Sequence, residues 1–502
     1  MKESLDFIYK TQKELSIFGG IVSLLDWDQK TYMPTNGTAE RSDQISLISR
    51  LSHERIISDE FWSNIKKLSN PDVLDKLEAK DKIIIKKLNR DVEKARKIPA
   101  EFVEELSKVT SLAYIAWQEA RKNNNYRKFS PHLEKIIELQ KKYIDYIGLP
   151  GHPYNSLLDD YEEGMNVEKL KKAFNYLKPQ LIGILNKIKD TKLYKKKYNI
   201  KIKLDSKKQK KLCNLLIKKM FIPYDRARLD VSTHPFTTSI GNDDVRFTTN
   251  YGREQPLFSF FSTLHEAGHA LYELGLPQKE YKYTVISDAP SIGLHESQSR
   301  FWENMIGRNI SFWKYFYPEF QKTFSNQLKN FNLETWIFYI NQIKPSFIRV
   351  EADELTYNLH ILMRFEIELD LIDDNIKVSE LPLVWNQKMN EILGIVPKTD
   401  TEGVLQDMHW STGDFGYFPT YAIGTIYSAQ LFHQLKKEKK GIFHEIESGD
   451  FSNILSWLRD HIHKYGRLMN AEDTIKKTCG EGLNSKVFIK YLKDKYYSLY
   501  EV

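Results

Sequence analysis

Leu264-His265-Glu266-Ala267-Gly268-His269-Ala270-Leu271 decides how this 502-residue chain reads, because two histidines stand four positions apart with a glutamate beside the first. On an α-helix, residues i and i+4 lie about 40° apart around the axis and one turn along it. Both imidazoles can then reach one ion, while Glu266 is placed to take a proton from the attacking water rather than to bind metal. This is the H-E-x-x-H arrangement of zinc hydrolases. The flanking Phe258, Phe260, Phe261, Leu264, Ala267, Ala270, Leu271 and Leu274 are apolar, as expected of a helix buried beneath an active site. The bland alternative is a pair of histidines satisfied within a core.

A hydrophobic content of 41%, with 13% aromatic residues, supports a globular fold with a sizeable core. No apolar stretch approaches the roughly 20 residues of a membrane helix, so no membrane association is expected. The N-terminus, Met1-Lys2-Glu3-Ser4-Leu5-Asp6, carries acids where a signal peptide has a basic and then an apolar run, and a cytoplasmic location is expected. Cys213 and Cys479 are far apart and form no C-x-x-C, which fits a reducing compartment and leaves histidine and carboxylate as metal donors. The net charge of +7, spread over a large surface, says little about partners.

No repeat, Gly/Ser linker or Pro-rich stretch divides the chain, so residues 1–502 read as one unit. Residues 1–220 read as successive amphipathic helices, and residues 221–502 as the catalytic half. Asn70-Pro71-Asp72 signals a helix start before Val73-Leu74, and the charged run that follows should stay helical as far as Lys97. It should stop at Lys97-Ile98-Pro99, because proline disfavours helical geometry in the preceding residue and lacks an amide hydrogen. A second helix should run from Pro99 to about Ala120. The Lys-heavy stretch 169–219, with Lys195-Lys196-Lys197 and Lys207-Lys208-Gln209-Lys210-Lys211, is either a nucleic-acid patch or the solvated face of amphipathic helices. Its interleaved Leu, Ile and Phe favour the second, and nucleic acid is not expected as a partner. Residues 226–250 turn to Val, Thr, Ser and Phe around Gly241-Asn242-Asp243-Asp244, which reads as a β-hairpin or small sheet just before the metal-type helix. Such a sheet can offer an edge strand to an extended peptide.

A catalytic zinc site needs three protein ligands and an open position. No third histidine follows at the short metzincin spacing. Leu294-His295-Glu296-Ser297-Gln298 instead opens an amphipathic helix carrying Phe301, Trp302, Met305 and Ile306. Glu296 is the expected third ligand, because two histidines and a glutamate form an established catalytic set. His295 competes for that place, and Glu296 could also be an ordinary helix-start acid.

Five further motifs follow in order: His234-Pro235-Phe236, Asp244-Val245-Arg246-Phe247-Thr248, His295-Glu296-Ser297-Gln298, Ile348-Arg349-Val350-Glu351-Ala352-Asp353, and Gly403-Val404-Leu405-Gln406-Asp407-Met408-His409-Trp410. With these, the chain resembles the carboxypeptidase Taq family of metallocarboxypeptidases, matching H-P-F, D-x-R-x-T, H-E-S-G/Q, I/V-R-x-x-A-D and G-x-x-Q-D-x-H-W without a departure. The motifs span residues 234 to 410; the N-terminal region carries none. The resemblance implies a mainly α-helical fold with a deep cleft, similar to neurolysin and angiotensin-converting enzymes, and a small β-sheet beside the active site. It also implies a homodimer, and metal-dependent removal of C-terminal residues from peptides with a free C-terminus. The ion would be one Zn2+ per subunit held by His265, His269 and Glu296, although the same ligands bind Co2+ or Mn2+. An endo-acting oligopeptidase on the same scaffold is the alternative.

An exopeptidase must recognise a terminal carboxylate, which a planar guanidinium binds through two parallel hydrogen bonds. The resemblance assigns this to Arg349 and Arg246; the ordinary alternative for Arg349 is an ion pair with Glu351 or Asp353. A donor to the tetrahedral intermediate is also needed, and His234, His409, Tyr417 and Tyr421 are available. Related zinc peptidases use a downstream histidine and tyrosine, which makes Tyr417 the first choice, while Tyr421 reads equally as core packing with a satisfied hydroxyl. His461-Ile462-His463 does not compete, since residues two apart on a helix face different directions, and His444-Glu445 lacks a histidine at i+4.

Overall fold

Proline 99 acts as the sequence requires. In the computed structural model, which describes residues 1–196, 205–252 and 257–502, one helix ends at Arg96 and the next, Ala100–Lys122, starts with Pro99 as its N-cap. The upstream boundary differs from expectation. Asn70 does cap a helix, its side chain accepting from the Asp72 amide, but that helix is the single turn Pro71–Leu74, and the chain restarts at Ala79. The break lets Leu77 join Ile8, Phe61, Ile65, Ile84 and Ile85 in a small N-terminal core, a tertiary gain that overrides helix propensity.

Helices fill most of the remaining chain. Those of the Lys-rich stretch are amphipathic: Val167–Lys189 buries Leu170, Phe174, Leu177 and Leu181, and Ser206–Lys219 buries Leu212, Leu216 and Ile217. Lys169 pairs with Glu472 at 2.6 Å and Lys178 with Glu366 at 2.9 Å. Lys197, with the rest of 197–204, lies outside the described residues. Cys213 and Cys479 are both reduced. No described helix is long and apolar enough to cross a membrane.

The Val- and Thr-rich stretch forms three strands, β1 (Ala227–Val231), β2 (Thr237–Gly241) and β3 (Asp244–Thr249), in the order β1-β3-β2. The expected hairpin is β2–β3, antiparallel, with an irregularity between Ser239 and Gly241. β1 adds on the other side of β3 in parallel, which places Arg228 opposite Arg246. The sheet lies against the Phe258–Gly275 helix, where the Thr249 hydroxyl donates to the Ser259 carbonyl at 3.0 Å and the Thr237 hydroxyl oxygen stands 3.0 Å from the Glu266 carbonyl oxygen.

The Phe258–Gly275 helix is central because nearly every face meets protein. Leu264, Ala267, Ala270 and Leu271 are fully buried, and the Phe260 ring packs among Phe312, Trp313, Phe316 and Phe320, the last at 4.9 Å between centroids. Two close crossings then fix the site. A Cβ on Gly268 would lie 2.8 Å from both the Gln298 carbonyl oxygen and Ser299 Cα, so the Ile292–Arg300 helix passes directly over it. A Cβ on Gly424 would lie 2.7 Å from Glu296 Cβ, so the Phe418–Glu438 helix presses on the same element from the other side. The Ile292–Arg300 helix begins at Ser291, whose hydroxyl accepts from the Leu294 amide at 2.9 Å. The buried Glu162 carboxyl accepts, through Oε1, from the Gly293 amide in the same first turn.

Two outcomes are expected. Gly268→Ala forces the crossing apart and lowers stability by about 1–3 kcal/mol in denaturant titration. Burial pushes the Glu162 carboxyl up to about 8 from an ordinary 4.5. Below the lower value folded and unfolded chains are both protonated; above it only the unfolded chain releases the proton, so stability falls as pH rises from about 5 to 8, by up to about 1.4 kcal/mol per unit. In Glu162→Gln this contribution is lost and the slope becomes shallower, Glu368 and Asp288, also raised by burial, supplying the remainder; equal pH slopes for the two proteins in denaturant titrations would contradict the assignment.

Candidate active site

The two helices that cross at Gly268 bring three donors together. His265 and His269 come from the Phe258–Gly275 helix and Glu296 from the Ile292–Arg300 helix, and one atom of each lies within 4.8 Å of the others. Glu296 Oε2 stands 3.6 Å from His265 Nε2 and 3.4 Å from His269 Nε2. A tetrahedral ion with bonds of about 2.0–2.2 Å separates its donors by about 3.4 Å, so the trio fits a divalent metal. The chemistry of the donors agrees with the spacing, since each imidazole turns Nε2 inward and uses Nδ1 elsewhere.

Each donor is oriented by a further partner. His265 Nδ1 lies 2.9 Å from Glu303 Oε2. His269 Nδ1 lies 2.5 Å from His295 Nδ1, and His295 Nε2 lies 2.7 Å from Glu273 Oε1. His295, the competitor for the ligand position, therefore stands behind His269, because its ring is spent between that histidine and Glu273. The other oxygen of Glu296 accepts from Arg300 Nε at 2.7 Å, and the Ser299 hydroxyl donates to Oε2 at 3.0 Å. Burial alone would raise the Glu296 carboxyl, but Arg300 and the two imidazoles hold it well below the usual range. Arg300 likewise outweighs burial at Glu303, held down to about 2. Burial, then His295, lowers His269 to about 3. Glu303 sits in a π-helical segment, Phe301–Ile306, that continues the Ile292–Arg300 helix; the wider turn is a common device where a side chain must be re-aimed at a site.

Glu266 is buried beside this cluster, and its Oε2 accepts from the Thr237 hydroxyl of β2 at 2.6 Å. Burial raises its carboxyl above the ordinary value, the direction a general base needs.

A second group adjoins the first through Tyr357. The Arg300 guanidinium lies 4.3 Å over the Tyr357 ring, whose hydroxyl accepts from Arg349 Nη1 at 2.8 Å. Arg349 is 5% exposed. Its Nε and Nη2 both donate to Asp407 Oδ1, at 3.0 and 2.9 Å, and Arg364 takes the other oxygen of Asp407. The partner is neither Glu351 nor Asp353; Asp353 accepts from the Leu355 and Thr356 amides instead. Around Arg349 stand Tyr421, 4.9 Å from the guanidinium to the ring centre, and His409, whose Nε2 lies 3.2 Å from the Tyr421 hydroxyl. Tyr417 packs 5.3 Å from Tyr421. Burial lowers His409 to about 4, so its ring is neutral at neutral pH. Burial and the Glu296 charge push the Tyr417 hydroxyl up to about 12, so it keeps its proton.

The remaining two candidates lie toward the sheet. Arg246, on β3, donates from Nε and Nη2 to the two oxygens of Asp244, each at 2.8 Å. His234 occupies the exposed loop between β1 and β2, its carbonyl accepting from the Ser232 hydroxyl at 2.7 Å.

Sequence reasoning missed Arg300, Glu303, Glu273, Thr237, Tyr357 and Arg364. Three of these carry a helical spacing that points to the site: Arg300 is four after Glu296, Glu273 four after His269, and Glu303 three after Arg300. Thr237, Tyr357 and Arg364 carry no such signal.

A family model described as carboxypeptidase Taq (M32) metallopeptidase matches residues 7–496. Thermostable carboxypeptidase 1 of Pyrococcus furiosus is 39% identical over 98% of this chain and 98% of its own. Carboxypeptidase 1 of Bacillus subtilis is 38% identical over 99% of this chain and 98% of its own. Among solved structures, the M32 carboxypeptidase from Deinococcus radiodurans R1 superposes with a TM-score of 0.95 at 33% identity, with all of both chains covered. The metal-type donor trio, the buried glutamate beside it and this full-length similarity agree: the chain belongs to the carboxypeptidase Taq (M32) family and is a metal-dependent carboxypeptidase.

Proposed function

We propose that this protein removes single amino acids from the free C-terminus of peptides, using Zn2+ held by His265, His269 and Glu296, one ion per subunit. The ligand set is that of catalytic zinc sites, and Co2+ or Mn2+ can occupy the same donors. When bound, the ion supplies Lewis acidity that lowers the pKa of water and polarises the scissile carbonyl. Glu266 takes the proton of the attacking water and returns it to the departing amine. Thr237 donates to Oε2 of Glu266, which restricts rotation of the carboxylate. Tyr417 donates to the oxygen of the tetrahedral intermediate, with His409, Tyr421 and His234 as further donors; a hydroxyl pushed up to about 12 keeps the proton this requires. Arg349 and Arg246 orient the terminal carboxylate, with Asp407 and Tyr357 holding the first and Asp244 the second.

The observation that carries the reading is the convergence of the three donors with Glu266 buried beside them. The family resemblance further supports residues 1–502 acting as one unit with a neurolysin-like cleft, as a cytoplasmic homodimer.

The decisive experiment compares a peptide with a free C-terminus and its C-terminally amidated twin, with metal-loaded protein and a Glu266→Gln control. Sequential release of amino acids from the free peptide alone, lost in the control, is expected. Internal cleavage of both peptides would show an oligopeptidase instead. Glu303→Gln removes the charge that orients His265 and is expected to weaken metal binding by about 10–100-fold. Competition with a chelator of known affinity measures this directly, and unchanged affinity would remove Glu303 from the metal's support.

A further inference from the structure

We infer that Trp27, in the motif-free N-terminal helix, is a positioning residue for substrate recognition that fixes the orientation of the Arg246 guanidinium. This rests on the reading of Arg246 as a carboxylate-binding residue. The Arg246 guanidinium carbon lies 4.1 Å from the centre of the Trp27 ring. Asp244 takes the Nε and Nη2 edge of the same group. One face is covered by the indole and one edge is filled, so the guanidinium can turn toward a substrate carboxylate only the edge formed by Nη1 and the second N–H of Nη2. The side chain retains 15% of its accessible surface.

The arrangement is built from both sides. On the sheet, Arg228 pairs with Arg246 in the β1–β3 register and lies over the same indole at 5.4 Å. Arg228 is in turn held by Asp230, at 2.7 and 2.6 Å, and Asp230 also accepts from the Tyr32 hydroxyl at 2.7 Å. On the helical side, Lys2–Thr31 approaches β2 so closely that a Cβ on Gly20 would collide with the Ile240 carbonyl oxygen. Gly20 and Trp27 are seven apart and share one helix face, so the contact that seats the helix also presents the indole. Trp27 is 5% exposed. An indole face attracts a guanidinium while leaving its in-plane N–H groups available, which suits a side chain that must be held without using up its donors.

The test is steady-state hydrolysis of a peptide with a free C-terminus by metal-loaded Trp27→Met, Trp27→Phe, Arg246→Ala and the Trp27→Met/Arg246→Ala double variant. Methionine keeps buried bulk and removes the aromatic face; phenylalanine restores a face. Trp27→Met is expected to raise KM about tenfold with kcat within about twofold, Trp27→Phe to recover most of that loss, and the double variant to match Arg246→Ala alone. If Arg246→Ala leaves KM unchanged, the reading of Arg246 fails, and this inference with it. If Arg246→Ala raises KM but Trp27→Met does not, or the two effects add in the double variant, Arg246 keeps its role and the positioning by Trp27 is overturned. A kcat loss in Trp27→Met that phenylalanine does not recover also overturns it, since that is the mark of a general structural defect.

Discussion

A carboxylate buried where three helices cross governs this molecule. Glu296 is 5% exposed, lies on the helix whose Gln298 and Ser299 cross Gly268, and has its Cβ pressed against Gly424. Burying such a charge without compensation costs several kcal/mol. Arg300 neutralises one oxygen at 2.7 Å, while the other faces two imidazoles at 3.4 and 3.6 Å. The second oxygen thus meets groups that are good donors to a metal and poor permanent counter-charges. A divalent ion at this trio would complete the electrostatics of the crossing.

Support for that centre is shared. Glu303 orients His265 and also pairs with Arg300, which holds Glu296. Glu273 and His295 form the corresponding chain behind His269. A change in any of these reaches His265, His269 or Glu296 through one hydrogen-bond network. The π-helical segment at Phe301–Ile306 places Glu303 within this network.

The sheet connects the chemistry to recognition. β2 supplies Thr237 to Glu266, and β3, its neighbour, carries Arg246. Register between two strands therefore relates Glu266 to Arg246, and the N-terminal helix sets its Trp27 on that arginine. Arg349 is linked to the donor trio by another route, through Tyr357 and Arg300. Its buried pairing with Asp407, which Arg364 shares, leaves the guanidinium little freedom to reorient.

Local rules carried the sequence far where one element settles the matter. The pair His265 and His269 with Glu266, the helix stop before Pro99, the hairpin turn at Gly241–Asp244 and the amphipathic helices of the Lys-rich stretch all follow from helical or strand spacing and backbone chemistry within a few residues. Tertiary structure decided what depends on elements distant in sequence. It divided the helix after Asn70, because Leu77 gains more in the N-terminal core than in continued hydrogen bonding. It sent His295 behind His269 and left the place beside both histidines to Glu296, because the crossing at Gly268 turns the two neighbours of one motif in different directions. It gave Arg349 the partner Asp407, 58 positions away, over the acids beside it. Spacing determines which side chains share a face; only packing determines which faces meet, since that choice is made by burial and charge compensation among residues that no local period relates.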